Sequence, residues 1–496
     1  MSGKANFDPS KDADVVVIGA GPGGYPAAIR AGQLGARVVC IEADNPGGTC
    51  LNWGCIPTKT MIGSVAALHT LKHAKDFGLI AENVGYDFGA IMGRKDKIVG
   101  GLNKGVEFLL KKAKARHVAG YGKIVDKNTV QVTKADGSVE TITTANIIIA
   151  TGSVPSKVPL PGIDSADIWV DNATVKAKKA DGSLASGGIW TSNEAVSAKT
   201  VPGALVIVGG GVIGVEFAYV YAGLGSKVTV LEFLPRIIAT MDADLSAELN
   251  KSLKKQGVTI QTSVKVTRVE DKDGKKAVFY AGEDGVEKSL PADVVLVATG
   301  RTPFTEGLGL DNVGLTLGSP KGKRAIAVND QLQTSVPGIY AIGDVIGSGL
   351  AHTATAEGLV AAENICGHEA HMSYKAIPSC IYTEPEVAAV GLTEAQAKEQ
   401  GYDVKTGTFP FRNLAKAMAI NQTEGFVKVV AEAKYGEILG VHIVGPHATD
   451  LIMEAVVSIQ LENTVEELMK TVHSHPSLAE AIGQANEDIK GLAIDK

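Results

Sequence analysis

The stretch "ADVVVIGAGPGGYPAAIRAGQLGARVVCIEA" (13–43) returns as "GALVIVGGGVIGVEFAYVYAGLGSKVTVLEF" (203–233), and this repeat limits the possible folds more than any other feature of the chain. Gly19, Gly21 and Gly24 reappear as Gly209, Gly211 and Gly214. Ala28, Leu34, Gly35, Val38 and Glu42 likewise match Ala218, Leu224, Gly225, Val228 and Glu232. Each copy reads as a short β-branched strand buried on both faces, then G-x-G-x-x-G, a helix, a second strand and an acid. The helices are expected at about 22–34 and 212–224, each stopped by a Leu-Gly step. One such glycine motif is weak evidence. Two in register, each behind a strand and each followed by Glu at the end of the next strand, specify a dinucleotide-binding βαβ unit. The first glycine makes the turn, the second lets the backbone approach a pyrophosphate, and the third lets helix and strand pack closely. The helix N-terminus then meets the phosphates with its positive end. Glu42 and Glu232 are placed to accept hydrogen bonds from adenosine ribose hydroxyls.

Just past the second strand of the first unit stands "GGTCLNWGCIPTKT" (47–60), with Cys50 and Cys55 close together in a chain that has only 5 cysteines. A sparse, odd set is no secreted disulfide framework; a cytoplasmic address is expected, where a close pair is catalytic or metal-binding. No second Cys/His pair has zinc-ligand spacing, so the redox reading is preferred. Two dinucleotide units imply two dinucleotides. A dithiol exchanges electrons with a nicotinamide most readily through a flavin, so the first unit is expected to hold FAD and the second a nicotinamide dinucleotide. Glu232 favours NAD, because a carboxylate there repels the extra phosphate of NADP. Arg236, four residues on, is the nearby cation that would favour NADP instead.

A net charge of −6 with 21% charged residues gives no electrostatic footprint for nucleic acid or an anionic membrane. The polar, acid-bearing N-terminus reads as neither a secretory signal nor a transit peptide, and no apolar run is long enough to span a membrane. Cys40, Cys366 and Cys380 lie among apolar or small residues and read as buried space-fillers.

Together "GAGPGGYPAAIRAGQLG", "GGTCLNWGCIPTKT", "IIIATGS", "GGGVIGVEFA", "VATGRTPFTEGLGL", "GIYAIGDV", "YTEPEVAAVGLTE" and "HSHPSLAEA" resemble the flavin-dependent pyridine-nucleotide disulfide oxidoreductases from about residue 12 to the end. The resemblance is strongest to the branch that oxidises dihydrolipoyl groups with NAD. It implies that Cys50 attacks the disulfide substrate and that Cys55 lies against the flavin. Lys59 would stand beside the flavin, paired with Glu216. Thr151, Gly152 and Gly300 would also line cofactor, and Asp344 would hold the flavin's ribityl chain. Asp344 also reads as an N-cap, since a helix-like run follows it. Thiol–disulfide exchange needs a group that moves protons near neutral pH, which suits histidine. The resemblance makes His475 that base and Glu480 the residue that orients it. His473 reads first as a surface residue, with a supporting partner of the base or a metal ligand as alternatives. His352 has no assigned role. The stretch 163–189 is longer than the usual link, and "GDVIGSGLAHTATAEG" is looser than the family pattern.

The expected fold class is therefore α/β, with two Rossmann-like dinucleotide-binding domains and a C-terminal α+β dimerisation domain. The expected division is an FAD unit at 1–163, an NAD unit at 190–299, a central segment at 300–367 completing the FAD site, and an interface domain at 368–496. Strands such as "GFVKVVAEA" and "GEILGVHIVG" alternate there with helices such as "DLIMEAVVSIQLE". "TKADGS" (133–138) and "KKADGS" (178–183) carry the Asp-Gly of a hairpin turn. The implied partners are a second copy of the chain and a lipoylated carrier domain of a 2-oxoacid dehydrogenase or glycine cleavage complex. Rival readings are a reductase of another disulfide, such as glutathione or a coenzyme A disulfide, and a redox-sensing flavoprotein without turnover.

Overall fold

A computed structural model describes residues 8–163 and 188–496. The second Asp-Gly turn at 178–183 lies outside the described residues, as does nearly all of the long link.

The first unit is built on β1 (Ala13–Ile18), α1 (Gly24–Gln33) and β2 (Val38–Glu42). Every residue of β1 is buried, as a strand covered on both faces requires. The chain continues through α2 (Gly48–Asn52), α3 (Cys55–Lys72), α4 (Phe88–Lys112), β3 (Arg116–Ala119), β4 (Tyr121–Asp126), β5 (Thr129–Thr133) and β6 (Val139–Ile149). The sheet runs β3-β2-β1-β6-β5-β4, parallel as far as β6 and antiparallel beyond. The "TKADGS" turn joins β5 to β6 as a hairpin, with Gly137 at φ +83°.

The second unit repeats the plan with β7 (Ile189–Trp190), β8 (Ala204–Val208), α5 (Val212–Gly223), β9 (Lys227–Leu231), β10 (Thr259–Gln261) and β11 (Val294–Val297). Its parallel order is β10-β9-β8-β11-β7. An antiparallel three-stranded sheet over 265–292 packs on it through Val266, Val278 and Tyr280. The repeat extends to backbone angles. Gly19 and Gly209 adopt φ +104° and +109°, a region that L side chains rarely enter. A Cβ on Gly24 would collide with the carbonyl oxygen of Gly19, and one on Gly214 with that of Gly209. Both helices end on Leu followed by glycine, Gly35 and Gly225, also at positive φ.

After β11 the chain returns to the first unit. Strand Ile339–Ala341 joins the sheet beside β6, and helix α6 (Ala351–Ile365) packs on α1, with Gly358 tight against the backbone of Gly23. The C-terminal unit is a five-stranded antiparallel sheet, Ser379–Ile381, Glu386–Gly391, Ile438–Gly445, Phe426–Glu432 and Val404–Pro410 in spatial order. Helices α7 (Ala448–Gln460) and α8 (Glu480–Ile489) cover it through Ile452, Ala455, Ala481 and Ile482. No helix among the described residues is long and apolar enough to cross a membrane.

Helix α3 matters most for the site. Met61 and Val65 are buried in the core of the second unit with Phe217 and Tyr221. Gly223 of α5 leaves room for Val65, which a Cβ at that position would strike. Burial of a side chain such as Met61 contributes about 1.5–3 kcal/mol. The helix that begins at Cys55 is thus held by both nucleotide units.

Candidate active site

Cys50 lies in the one-turn α2 and Cys55 opens α3. Their sulfurs are joined as a disulfide with a Cα–Cα separation of 4.6 Å, not arranged as half of a zinc site. No side chain caps α3, whose N-cap is Gly54, so its first-turn N–H groups favour a thiolate at Cys55 when the bond opens. The loop that presents the pair is pinned from outside. Trp53 Nε1 donates to Asp44 Oδ2 at 2.8 Å, and Asn103 Nδ2 donates to Asn52 Oδ1 at 3.0 Å. The other three cysteines are free thiols. Burial pushes Cys366 and Cys380 up to about 11 and Cys40 higher still, which leaves them unreactive at neutral pH. Cys380 is half-buried, not fully enclosed.

Lys59 sits one turn beyond Cys55 on the same face of α3. Its Nζ donates to Glu216 Oε1 and Oε2 at 2.9 and 2.8 Å, joining the first unit to α5 of the second. Glu216 is buried, and its Oε1 also accepts the backbone N–H of Tyr382 at 3.0 Å. The Tyr382 ring lies 4.6 Å from the Lys59 ammonium, a cation–π contact. Three separate segments therefore meet behind the disulfide. Tyr382 was not a sequence candidate, because its contribution is a backbone N–H that any residue could supply.

The two glycine loops form matching cradles. Neither α1 nor α5 has a side-chain cap, so the N–H groups of both N-termini face outward. Nothing stands within 4 Å of where a Cβ on Gly211 would lie, and that of Gly21 would meet only Gly48. Both loops fit a pyrophosphate. Glu42 accepts N–H bonds from Ala20, Ala43 and Asp44 at 2.8–3.0 Å. Glu232 accepts from Gly210 and Leu234. A carboxylate has about four acceptor positions, so each keeps capacity for a ribose hydroxyl. Burial raises the Glu42 pKa, only partly countered by these N–H donors. Arg236 Nη2 is turned onto the carbonyls of Ala239 and Met241, at 2.8 and 3.3 Å, away from the role of a phosphate-binding cation.

Thr151 and Gly152 are tied to the segment after Gly300. Thr151 Oγ1 donates to Phe304 O at 2.6 Å, Phe304 N to Gly152 O at 2.9 Å, and Ser156 N to Gly300 O at 3.0 Å. Asp344 lies in a short 3₁₀ turn (Gly343–Ile346) and does not cap α6, whose N-cap is Leu350. Its Oδ2 accepts from Ser153 Oγ at 2.5 Å. Arg301 closes that group, donating from Nε to Ser153 Oγ at 2.8 Å and from Nη2 to Ser153 O at 2.6 Å and Thr49 Oγ1 at 3.4 Å. Burial lowers the Arg301 pKa, and Asp344 offsets part of this. Glu357 of α6 is fully buried and accepts from Gly343 N at 2.7 Å and Tyr374 Oη at 2.8 Å. A lone acid on the apolar face of "HTATAEGLVAAENI" was the available signal for it.

His475 Nδ1 and Glu480 Oε1 are 2.8 Å apart, and Glu480 Oε2 accepts the Ser477 N–H at 2.8 Å. Burial raises the Glu480 pKa, but Ser477 and His475 outweigh it and hold the group below its ordinary value. The His475 side chain is 74% exposed, and among the described residues Glu480 is the one side chain it pairs with. His473 is not a surface residue. It is 12% exposed, and its Nε2 lies 2.9 Å from Glu454 Oε1, which raises its pKa. It packs over Gly483 of α8, the helix that carries Glu480. His352 is exposed, and its Nε2 lies 2.9 Å from the Pro378 carbonyl oxygen.

The chain matches the family model described as pyridine nucleotide-disulphide oxidoreductase over residues 13–358, and its dimerisation domain over residues 377–486. It is 42% identical over 480 residues to the mitochondrial dihydrolipoyl dehydrogenase of Pisum sativum, covering 96% of this chain and 91% of that one. It is 42% identical over 498 residues to the dihydrolipoyl dehydrogenase of Cupriavidus necator, covering 98% and 99%. The fold matches the crystal structure of LpdA from Mycobacterium tuberculosis with a TM-score of 0.84 and 27% identity, covering 96% and 99%.

Proposed function

The chain belongs to the pyridine nucleotide-disulphide oxidoreductase family, and from that premise we propose that it is a dihydrolipoyl dehydrogenase that uses FAD and NAD. The observation that carries this reading is the Cys50–Cys55 disulfide at the head of α3, backed by the Lys59–Glu216 pair.

The net reaction turns a dihydrolipoyl dithiol and NAD into a lipoyl disulfide, NADH and a proton. His475 of a second copy takes the proton of one substrate thiol at Nε2, while Glu480 holds Nδ1 and steadies the charged imidazole. The substrate sulfur attacks Cys50 Sγ, and Cys55 leaves as a thiolate stabilised by the α3 N-terminus. His475 then passes its proton to the departing Cys50 sulfur and takes that of the second substrate thiol, whose sulfur attacks the substrate sulfur bound to Cys50 and breaks that bond. This closes the lipoyl disulfide and leaves two electrons on the enzyme's dithiol. FAD, when bound, supplies the two-electron relay that restores the disulfide and reduces NAD. Lys59, ion-paired to buried Glu216, is held one turn beyond Cys55 on α3, where it fixes the wall behind the redox pair.

Gly19, Gly21, Gly24, Glu42, Thr151, Gly152 and Asp344 would hold FAD; Gly209, Gly211, Gly214, Glu232 and Gly300 would hold NAD. The units 1–163, 190–299, 300–367 and 368–496 take the corresponding parts, the last as the homodimer interface. The partner is a lipoylated carrier domain. A cytoplasmic address suits a chain with one redox disulfide and three free thiols. The test is a steady-state assay of dihydrolipoamide with NAD, beside glutathione disulfide and coenzyme A disulfide with NADH or NADPH. Turnover confined to dihydrolipoamide and NAD supports the reading. Turnover confined to another disulfide overturns it.

A further inference from the structure

We infer that His69 and His73, at the C-terminal end of α3, chelate a borderline divalent cation, Zn(II) or Cu(II). The site lies at the opposite end of α3 from Cys55 and uses none of the residues of the redox site.

Four observations meet there. Against the sequence expectation that no second Cys/His pair has zinc-ligand spacing, His69 and His73 are four residues apart at the end of a helix, the spacing that puts two imidazoles on one face for a single metal. Their ring centroids lie 4.1 Å apart with a 45° tilt. Two imidazoles on one tetrahedral zinc have centroids about 5 Å apart for Zn–N bonds of about 2.05 Å, so the two exposed rings must swing apart by about 1 Å to share an ion.

Both Nδ1 atoms are already engaged. His73 Nδ1 is 2.9 Å from the His69 carbonyl oxygen, and His69 Nδ1 is 3.5 Å from Glu384 Oε1. An acceptor at Nδ1 places the proton there and leaves the Nε2 lone pair free for a metal, the usual arrangement behind a metal-bound histidine. Among the described residues neither Nε2 has a hydrogen-bond partner. Glu384 is itself fixed, its Oε2 accepting from Tyr219 Oη at 3.0 Å.

Finally, both side chains are exposed, and the C-terminal end of a helix favours positive charge. Imidazole donors select Zn(II), Cu(II) or Ni(II) over Mg(II) and Ca(II). Among the described residues no third His, Cys, Asp or Glu completes the shell, so water fills the remaining positions.

The experiment is equilibrium dialysis of the untagged, FAD-loaded enzyme against Zn(II). The enzyme is kept oxidised so that Cys50 and Cys55 stay closed. The expected result is one Zn(II) per chain that the His69→Gln/His73→Gln variant lacks, with Glu384→Gln binding about ten- to a hundredfold more weakly. With Cu(II), the paramagnetic resonance spectrum should show coupling to two nitrogens, falling to one in His73→Gln. Melting temperatures without metal verify the fold of each variant, and His73→Gln alone, at an exposed position, gives the same readout if the double variant melts early. Unchanged Zn(II) stoichiometry and affinity in the His73→Gln variant would overturn the proposal, as would a copper spectrum that does not change with His73.

Discussion

If His475 serves the disulfide of a second copy, two lesions that each silence a homodimer should restore activity when placed on different chains. Each site would draw Cys50, Cys55, Lys59 and Glu216 from one chain and His475 with Glu480 from the other. The structure motivates this arrangement: an imidazole oriented by a carboxylate at 2.8 Å and 74% exposed is open to a second copy. The perturbation is to co-express Cys50→Ser and His475→Ala chains with different tags and isolate the doubly tagged dimer. Cys50→Ser removes the disulfide outright. Loss of a general base costs about 10²–10⁴-fold, so the parents should run at about 1% of wild type or less. In the mixed dimer one site carries both lesions and the other carries none. Turnover of dihydrolipoamide with NAD should return to about half of wild type per dimer, or about a quarter in an unsorted random mixture. The converse pairing sharpens the result. A wild-type chain combined with a Cys50→Ser/His475→Ala chain puts one lesion in each site and should be nearly inactive. Background activity in the first dimer and half activity in the second would refute the shared site and place His475 with the cysteines of its own chain.

Glu232→Ala should narrow the preference for NAD over NADP by about tenfold or more in kcat/KM, a difference of about 1.4 kcal/mol; an unchanged ratio would remove Glu232 from nucleotide selection. Gly214→Ala should leave FAD bound but raise the KM for NAD, whereas Gly24→Ala should yield protein without flavin absorbance, because each Cβ would collide with a different loop carbonyl. Flavin retained at the wild-type level in Gly24→Ala would argue against the first cradle as the FAD site. Glu454 raises the His473 pKa above the ordinary value of about 6.5, so the stability from that pair is fully present below about pH 6.5 and is lost as the pH rises through the folded-state value. Wild type should therefore melt above Glu454→Gln at pH 6, with the gap closing by about pH 9; a gap that does not depend on pH would count against the pair.

What could be read from the sequence divides along a physical line. Gly24 and Gly214 were legible because contact between helix and strand excludes every other residue type there, and Gly19 and Gly209 because their backbone angles do. Such constraints act within a few residues, so residue type and spacing record them, and the parallel sheets of both units follow. Ion pairs and polar brackets leave a weaker record. Glu216 is the one acid of α5, but no spacing in the sequence sets α5 against Lys59, so only a resemblance supplied the pair. Arg301, Ser153 and Thr49 are brought together from distant parts of the chain, and Tyr382 enters through its backbone. His473 illustrates the same limit. In "HSHPSLAEA" it has no helical or strand period to mark it as buried, and only the packing of α8 brings Glu454 of α7 against it. Asp344 read from its residues as an N-cap, which it is not, and its partner Ser153 was not legible at all, because "IIIATGS" meets "GIYAIGDV" only once strand Ile339–Ala341 has joined β6. The proposed metal site follows the same line. His69 and His73 share a helix face by spacing alone, which any reading of α3 as a helix implies. What turns that spacing into a chelate is Glu384, a residue from the C-terminal unit that orients His69 across a domain boundary. Glu384→Gln therefore tests whether tertiary contact, beyond local spacing, makes those two histidines a site.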